Sequence, residues 1–416
     1  MLKPHVLIIG NSIATLRNYL EDHGFAYTTL KEKSLTKFPD KKLKNRVVAD
    51  FSNMEEVFKT VDTINTEQQI SGVLVTYERF IIPAAQITQH LNLPGLPLET
   101  ALACTDKFIM RQKFAAAPEK ISPDFAVVTS EDDLLAFAEQ HAFPLILKPA
   151  NLSKSLLVSK VSSREQLLES YHKTMAVIDK VYARYAPHTT PKLLIEEFME
   201  GSVHSVDAFV DSAGRPHVLD AVVDYQTGHD IGFADNFHYS RLLPSALPLE
   251  TIAAIRHTAT IGCQALNIRN SPAHIEIILT SDGPRIVEIG ARNGGYRERM
   301  HLLANGIDID ANAIRLSLGE QPEITADRAE SVGVFELFPK QPGIFIGIQN
   351  EAALRKLPSL KQLTIKAKEG QFVGSSSDGY KMCAIVILHN KDSRQFAEDM
   401  RFLNHHVSVQ TEAAKE

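Results

Sequence analysis

The sequence lacks the features that mark several classes of protein. No apolar run in its 416 residues approaches the ~18 residues that a membrane-spanning helix needs, and the opening run is too short for a secretory signal. The three cysteines are widely separated, with no disulfide or metal-binding spacing: Cys104, Cys263 and Cys383. Lysine and arginine (44) are fewer than aspartate and glutamate (50), whereas nucleic-acid-binding proteins are normally basic. We expect a cytoplasmic protein with buried thiols that binds neither membranes nor nucleic acids.

Glycine-based nucleotide motifs are also scarce. Only Gly10 lies in the first turn, where a dinucleotide-binding fingerprint has three glycines, so a nicotinamide-dependent dehydrogenase is disfavoured. The Walker pattern of P-loop enzymes is absent. The basic stretch Lys31–Arg46 is predicted to be a solvated loop rather than a phosphate-binding patch.

Strand and helix signals alternate over the first hundred residues. Three apolar runs predict strands (His5–Ile9, Arg46–Ala49 and Gly72–Thr76), and helical spacing occurs over Ser12–His23 and Met54–Ile64. This alternation predicts βαβ units with a parallel sheet, in a Rossmann-like layer that ends at a linker, Pro94–Pro97. The length of the chain is enough for about three domains.

Helix starts and further strands follow the linker. Thr105 is predicted to cap a helix over 106–116, and the pairs Ser130/Asp133 and Ser162/Glu165 resemble capping boxes. The runs Leu193–Phe198 and Ser205–Val210 flank Gly201 and predict a strand pair, with a hairpin as the default. From about Ser331 the pattern predicts a compact α+β tail.

The most informative segment carries two aliphatic runs around Ser281-Asp282-Gly283-Pro284, a turn signal. If the loop is odd-membered and centred on Asp282, Glu276 and Glu288 lie opposite one another with Cβ atoms ~5 Å apart. A two-residue turn would shift this register by one, unless a bulge restores it. The opposite face is apolar and must face the core: Ile275, Ile277, Leu279, Val287 and Ile289. Close carboxylates repel, and Mg²⁺ or Mn²⁺ would relieve the repulsion; the alternative is an exposed hairpin with both glutamates in water.

Basic residues and glycines accompany this pair. Arg292 follows Glu288 by four residues, and the next two glycines, Gly294 and Gly295, allow a ligand to approach the backbone. An arginine beside two metal-bound carboxylates suits a phosphoryl group or an acyl phosphate. Lys107 lies in the first turn of its helix and Lys148 ends an apolar strand. Taken alone, each lysine is better explained as a solvated surface residue.

Four motifs in order resemble those of the ATP-grasp superfamily: TDKFIMR, FPLILKPA, LLIEEFMEG, and IEIIL with IVEIGARNGG. They span roughly residues 100 to 310, and the parts before and after resemble its carboxylate–amine ligase members, in the L-amino-acid ligase-like branch. The resemblance implies an α/β and α+β architecture in three parts. These are a Rossmann-like domain over 1–98, an ATP-grasp domain over 99–330 with a lid-like subdomain at about 120–200, and an α+β C-terminal part over 331–416.

The resemblance also implies a role for each matching residue. Lys107 and Lys148 would contact ATP phosphates, Glu276 and Glu288 would ligate Mg²⁺, and Arg292 would act on the acyl phosphate, with Lys148 as the other catalytic residue. The other implied ATP-binding residues are Ser155, Glu196 near the adenine amino group, Glu197, Phe198 and Met199 at the adenine edge, and His204 at the ribose. The implied substrate-binding residues are Arg292, Gly294, Gly295 and Tyr296.

The chain departs from the family pattern in three places. Gly290 stands where many members have an asparagine as a third metal ligand, a variant that resembles the dipeptide-forming amino-acid ligases. Asn151–Ser155 replaces a glycine-rich loop after the second lysine, and His204 occupies a position that is often acidic.

The sequence therefore predicts an ATP- and Mg²⁺-dependent ligase that activates an amino acid or small acid as an acyl phosphate and joins it to an amine. A homodimer is a further expectation, as is a segment, Asp224–His238, that lines or covers the acceptor site. One alternative is another ATP-grasp branch, either formate-activating (phosphoribosylglycinamide formyltransferase-like) or biotin-carboxylase- or carbamoyl-phosphate-synthase-like. The other alternative is a non-catalytic ATP-binding regulator.

Overall fold

The N-terminal part contains a parallel sheet, as predicted. The computed structural model describes residues 3–10, 14–35, 45–152, 156–186, 189–235 and 237–413. The N-terminal elements are β1 (His5–Ile9), α1 (Ala14–Asp22), β2 (Ala26–Glu32), β3 (Arg46–Ala49), α2 (Met54–Glu67), β4 (Ile70–Val75) and α3 (Ile81–His90). The strand order is β3-β2-β1-β4, with all neighbours parallel. The sequence did not predict β2, which includes Lys31 of the basic stretch; residues 36–44 of that stretch lie outside the described ranges.

Two short helices, α4 (Leu98–Thr105) and α5 (Lys107–Ala115), connect this sheet to the rest of the chain. The prediction that Thr105 caps the second helix is wrong. Its hydroxyl donates to the Ala101 carbonyl within α4, and Asp106 is the cap, accepting from the N–H groups of Phe108 and Ile109.

The next part forms a small antiparallel sheet, which we call the lid sheet. Its elements are β5 (Phe125–Val128), α6 (Glu131–Gln140), β6 (Leu145–Pro149), β7 (Ser159–Val161), α7 (Arg164–Tyr185) and β8 (Leu193–Glu197), with strand order β5-β8-β6-β7. The capping box of Ser130 and Asp133 is present at α6. The second predicted box is wrong, because Ser163 caps α7 by accepting from the Gln166 N–H.

The largest sheet begins with β9 (Ser202–Val210), and its strand order is β13-β12-β9-β10-β11-β14-β18-β16. We call it the large sheet. The elements after β9 are β10 (Pro216–Thr227), β11 (His238–Leu243), α8 (Leu249–Ala265), β12 (Ser271–Thr280), β13 (Gly283–Gly290), α9 (Arg297–Ala304) and α10 (Ile309–Ser317). The predicted pairing of β8 with β9 is wrong, since β8 ends in the lid sheet and β9 begins the large sheet. The segment between them, Phe198–Gly201, thus connects the two sheets.

The C-terminal part is α+β, as predicted, but most of its strands extend the large sheet. Its elements are β14 (Ser331–Leu337), β15 (Gly343–Ile348), α11 (Glu351–Leu354), β16 (Leu360–Ile365), β17 (Phe372–Val373), β18 (Ala384–Asn390), α12 (Ser393–His406) and β19 (Val409–Glu412). β14, β18 and β16 continue the large sheet from β11, and β17-β15-β19 form a separate small sheet. Among the described helices, none is both long and apolar enough to cross a membrane. The three cysteine thiols are buried and unpaired.

The two faces of the large sheet differ in character. One face packs against α8 through buried aliphatic side chains, among them Ile275, Ile277, Ile286 and Ile289. The other face carries the predicted carboxylates and is partly covered by α9. The two predicted metal ligands therefore lie on one face of the large sheet, and the opposite face is fixed by an apolar core.

Candidate functional site

The two predicted metal ligands lie opposite one another, as expected, and of the two loop arrangements that the sequence left open the structure has the two-residue turn with a bulge. Glu276 of β12 pairs with Glu288 of β13. The loop is a two-residue turn, Ser281 and Asp282, which alone would misalign the glutamates, and a bulge after Glu276 restores their register. The bulge also corrects the predicted apolar face: Ile286 is fully buried in the core instead of Val287.

A buried arginine holds this bulge in place. The Val287 carbonyl accepts a hydrogen bond from Arg111 Nη2 at 2.8 Å. Arg111 lies on α5, one helical turn after Lys107, so the two side chains share a face of that helix. The helix that carries the first predicted lysine thus also fixes the register of the glutamates.

Each glutamate has its own basic neighbour. Lys107 Nζ lies 2.8 Å from Glu288 Oε2, and His274 Nε2 lies 3.6 Å from Glu276 Oε1. Lys107 lowers the pKa of Glu288 more than burial raises it. Burial raises the pKa of Glu276, but His274, His238 and Arg292 together outweigh this effect and lower the pKa to about 2. Both carboxylates are therefore ionised at neutral pH, and paired oxygen donors of this kind fit a hard divalent ion.

The second predicted lysine lies in the same region and is paired with a glutamate. Lys148 Nζ contacts Glu196 Oε2 at 2.6 Å, and Arg111 contacts the same carboxylate at 3.0 and 3.3 Å. Burial lowers the pKa of Lys148 to about 8, although Glu196 opposes the shift. Lys107 also acts on this pKa, so the two lysines are electrostatic neighbours. The Glu196 carboxylate is buried between two cations, whereas the sequence placed it near the adenine amino group; that contact stays a prediction.

The arginine expected at the reacting group is held by a residue of the N-terminal part. Arg292 Nε donates to Glu78 Oε2 at 2.8 Å, and Glu78 lies just after β4. Burial raises the pKa of Glu78. Arg292 and Lys107 act to lower this pKa, and the negative charge of Glu288 acts to raise it. A Cβ added at Gly290 would lie 3.3 Å from Glu78 Oε2. The space beside Glu288 that a side chain at position 290 would use is therefore lined by Glu78.

The two predicted substrate-binding glycines have different surroundings. A Cβ at Gly294 would lie 2.4 Å from His274 Nδ1, whereas a Cβ at Gly295 would have no atom within 4 Å. Gly294 is thus required by packing, and only Gly295 leaves open space for a ligand. Tyr296 follows with a left-handed backbone (φ 64°), and its hydroxyl donates to Glu336 Oε1 at 2.7 Å. Its role at the substrate stays a prediction.

The predicted adenine-binding segment connects the lid sheet to the large sheet. The Glu197 carboxylate accepts from the Asp124 N–H and pairs with Lys120, so its side chain is already engaged. Within the described part of the chain, the Met199 N–H has no backbone partner, and Lys160 Nζ lies 3.7 Å from the centre of the Phe198 ring. The Glu197 N–H already donates to the Asp124 carbonyl at 3.1 Å, and recognition of adenine by the backbone at 197 and 199 stays a prediction.

The two remaining predicted ATP-binding residues are His204 and Ser155. His204 is only 3% exposed, and its ring nitrogens contact Ser202 Oγ at 2.7 Å and Asp224 Oδ1 at 2.8 Å. A ribose contact by His204 stays a prediction, and both nitrogens already have partners. Ser155 lies outside the described residues.

A buried cluster of charged side chains around Asp207 connects several elements of the site. Asp207 accepts from His274 Nδ1 at 2.8 Å and lies 3.2 Å from both Arg297 Nε and His301 Nε2. Burial opposes ionisation of Asp207, but these neighbours hold its pKa far below the usual range. The cluster joins β9, β12 and α9, and so ties the loop that carries Arg292 to the strand that carries Glu276.

Sequence reasoning did not identify Glu78, Arg111, Asp207 or His274. Three of them had a usable signal: His274 lies two residues before Glu276 on the same strand face, Arg111 lies one turn after Lys107, and Glu78 follows the carboxyl end of a parallel strand. Asp207 had none, because its partners are distant in the sequence.

Comparison with known proteins agrees with this geometry. Residues 141–298 match the model of the ATP-grasp domain. The chain is 24% identical over 251 residues to an alanine–anticapsin ligase of Bacillus subtilis, covering 58% of this chain and 52% of that protein. It is 25% identical to an L-arginine-specific L-amino acid ligase of Bacillus subtilis, covering 72% and 70%. An L-amino acid ligase from Bacillus licheniformis shares the fold, with a TM-score of 0.83, 21% identity and 99% of each chain covered.

The match over residues 141–298 confirms the predicted resemblance to the ATP-grasp superfamily for that part of the chain, and the predicted fold class is confirmed. The similar proteins are named as an alanine–anticapsin ligase and as L-amino acid ligases, which confirms the predicted resemblance to this branch. The chain spans only about half the length of the alanine–anticapsin ligase that it matches.

Proposed function

We propose that the protein is an ATP-dependent carboxylate–amine ligase. The observation that carries this proposal is the pairing of Glu276 with Glu288, with Lys107 on Glu288 and Lys148 and Arg292 in the same region. Such an arrangement neutralises charge and positions reactants, which is what phosphoryl transfer requires. The named activities of the relatives support the same reaction class.

The proposed roles of the site residues are binding of the metal ion, of the ATP phosphates and of adenine. Glu276 and Glu288 would hold Mg²⁺ or Mn²⁺, which when bound neutralises charge on the ATP phosphates. Lys107 and Lys148 bind phosphate oxygens, and the backbone at Glu197 and Met199 reads the adenine edge. We assign Ser155, Glu196, Phe198 and His204 to the surroundings of the nucleotide, as predicted.

The reaction has two steps. A substrate carboxylate oxygen attacks the γ-phosphorus of ATP, the bond to the β-phosphate oxygen breaks, and ADP leaves. An amine then attacks the carbonyl carbon of the acyl phosphate, phosphate leaves, and the amine nitrogen gives up a proton. Arg292 faces the charge that develops at the acyl phosphate. Gly295 leaves room for the substrate and Tyr296 lies at its edge, and we propose an amino acid or small acid as the acid substrate.

The test is phosphate release from ATP and Mg²⁺ across a matrix of paired amino acids and small acids, with formate and bicarbonate as further acids. We expect ADP and phosphate to form only with an acid and an amine together. Glu288→Gln should abolish release while leaving the unfolding midpoint near that of the wild type. Release with formate or bicarbonate alone would favour another branch of the superfamily, and nucleotide binding without release would favour a regulator. The cytoplasmic location and the homodimer stay predictions.

A further inference from the structure

A second polar position lies on the same face of the large sheet, away from the metal ligands. Glu276 pairs with Ser205, Ser205 pairs with Val223, and Tyr225 pairs with Arg241. Directly paired residues share a face, and so do residues two apart on one strand. The side chains of Glu276, Tyr225 and Arg241 therefore lie on one face, across β12, β9, β10 and β11.

Arg241 differs from the structural arginines of this region. Arg111 and Arg297 are 0% and 1% exposed, and each has close polar partners at its guanidinium. The Arg241 side chain is 13% exposed and has looser contacts: Nη1 lies 3.3 Å from the His238 carbonyl and 3.6 Å from Glu336 Oε1. Direct ion pairs are closer, at ~2.7–2.9 Å. Arg241 is therefore partly open and holds unused hydrogen-bonding capacity.

Two tyrosines surround this guanidinium. Its central carbon lies 5.8 Å from the centre of the Tyr225 ring and 5.2 Å from the centre of the Tyr296 ring. Tyr296 belongs to the loop after Arg292, and its hydroxyl holds Glu336 to one side. Aromatic rings that flank a guanidinium fix its plane and leave its N–H groups to bind a planar anion. The position suits a carboxylate.

We propose that Arg241 binds a carboxylate of the substrate other than the one that is activated. The inference rests on the proposed function and deepens it, because it makes at least one of the joined molecules a compound with a second acid group. β11 lies three strands from β12 in the large sheet, so their backbones are ~14 Å apart. The long Arg241 side chain makes the distance from its guanidinium to the predicted metal ligands shorter than this. Two sources fit this spacing: the α-carboxylate of an amino acid that supplies the amine, or the side-chain carboxylate of a diacid that is activated.

The test measures binding in the presence of MgADP, by thermal shift and calorimetry. The wild type is compared with Arg241→Gln, Arg241→Lys, and the control Arg299→Gln, which alters an exposed arginine of α9 that contacts Gln362. The probes are the L-amino acids with their amides, for the amine source, and succinate with succinamate, for the acid source. We expect a carboxylate probe to bind the wild type and Arg299→Gln alike and Arg241→Gln at least tenfold more weakly. Arg241→Lys should be intermediate, because it keeps the charge and loses the fork geometry.

The amides are expected to bind all four proteins equally. Equal binding of the carboxylate probes to wild type and Arg241→Gln would overturn the inference, as would a parallel loss for the amides or no binding of any carboxylate probe to the wild type. The MgADP shift itself reports on the nucleotide site. If MgADP causes no thermal shift in the wild type, the result counts against the proposed function. If MgADP shifts all four proteins alike, the nucleotide site is intact in each, and a change in carboxylate binding is then due to Arg241.

Discussion

At the scale of single residues, the contact between Glu78 and Arg292 links the N-terminal part to the chemistry. We predict that Glu78→Gln lowers kcat about 10- to 100-fold, because a hydrogen bond to a charged group contributes ~1.5–3 kcal/mol. The KM for ATP should change less than threefold, since Lys107 and Lys148 are untouched. Steady-state kinetics with the best substrate pair measures both values. Glu67→Gln, at an exposed position on α2, is the control; an equal loss in both variants would contradict the positioning role.

The lowered pKa of Lys148 leads to a second prediction for a single residue, which is that nucleotide binding weakens at alkaline pH. Burial lowers this pKa to about 8, against 10.5 for an ordinary lysine. The charged form attracts phosphate, so a rise in pH through about 8 removes the charge from the free protein and weakens nucleotide binding. We expect the Kd for ADP to be flat below pH 7 and to rise up to ~10-fold per pH unit above pH 8. Calorimetry from pH 6.5 to 9.5 measures this.

Lys148→Arg provides the control, because arginine keeps its charge throughout this range. Its Kd for ADP should show a much smaller rise above pH 8, whatever its absolute value. The same slope in both proteins would show that another group controls the pH dependence.

At the scale of elements, the loop between β13 and α9 offers a matched pair of glycines. We predict that Gly294→Ala lowers the free energy of unfolding by ~1–3 kcal/mol, because its Cβ would lie 2.4 Å from His274 Nδ1 and force a shift in a packed cluster. Gly295→Ala meets no atom within 4 Å and should unfold like the wild type. Urea denaturation distinguishes the two. Comparable free energies of unfolding for both variants would mean that the side chains of the Asp207 cluster can shift at little cost in free energy.

Some features of the strands and turns around the site could be predicted from the sequence alone, and others could not. The alternation along β12 and β13 predicted that Glu276 and Glu288 face each other, because one strand face had to be apolar. The sequence left open whether the loop was odd-membered or a two-residue turn with a bulge. The structure has the second arrangement, and the bulge at Val287 contacts Arg111, which is 176 residues away. The connection from β8 into a different sheet was missed, because a strand-turn-strand pattern looks the same in a hairpin and in a crossing between sheets. The position of Glu78 after the carboxyl end of β4 was a usable signal, but its contact with Arg292, which is 214 residues away, could not be predicted from the sequence.

At the scale of the whole molecule, the N-terminal part meets the large-sheet part around one buried carboxyl group. Asp310 of α10 is 8% exposed and accepts hydrogen bonds from Thr15 of α1 and from Asn293, the neighbour of Arg292. Burial, and then Glu298 and Asp308, raise the pKa of Asp310 to about 7 from 3.8. The junction beside the candidate site thus contains an acid that is costly to ionise.

The stability of the folded protein should depend on pH through Asp310. Between about pH 4 and pH 7 the folded protein keeps the proton on Asp310 while the unfolded chain loses it. The contribution of this group to stability therefore falls as the pH rises through that window, and the cost is fully present at pH 8, with an upper limit of ~4 kcal/mol. Asp310→Asn should raise the free energy of unfolding by ~1–3 kcal/mol at pH 8 and by much less at pH 5, measured by urea denaturation.

The control for this prediction is Asp399→Asn. It removes a buried carboxylate of similar exposure (4%), whose Oδ2 accepts from the Ser359 N–H at 2.8 Å, and should lower stability instead. A loss of stability in Asp310→Asn at pH 8 would show that Thr15 and Asn293 stabilise the ionised carboxylate enough to offset its burial. A gain confined to alkaline pH would instead mean that the junction keeps a destabilising acid next to Arg292, and a cost of this kind is typical of functional sites.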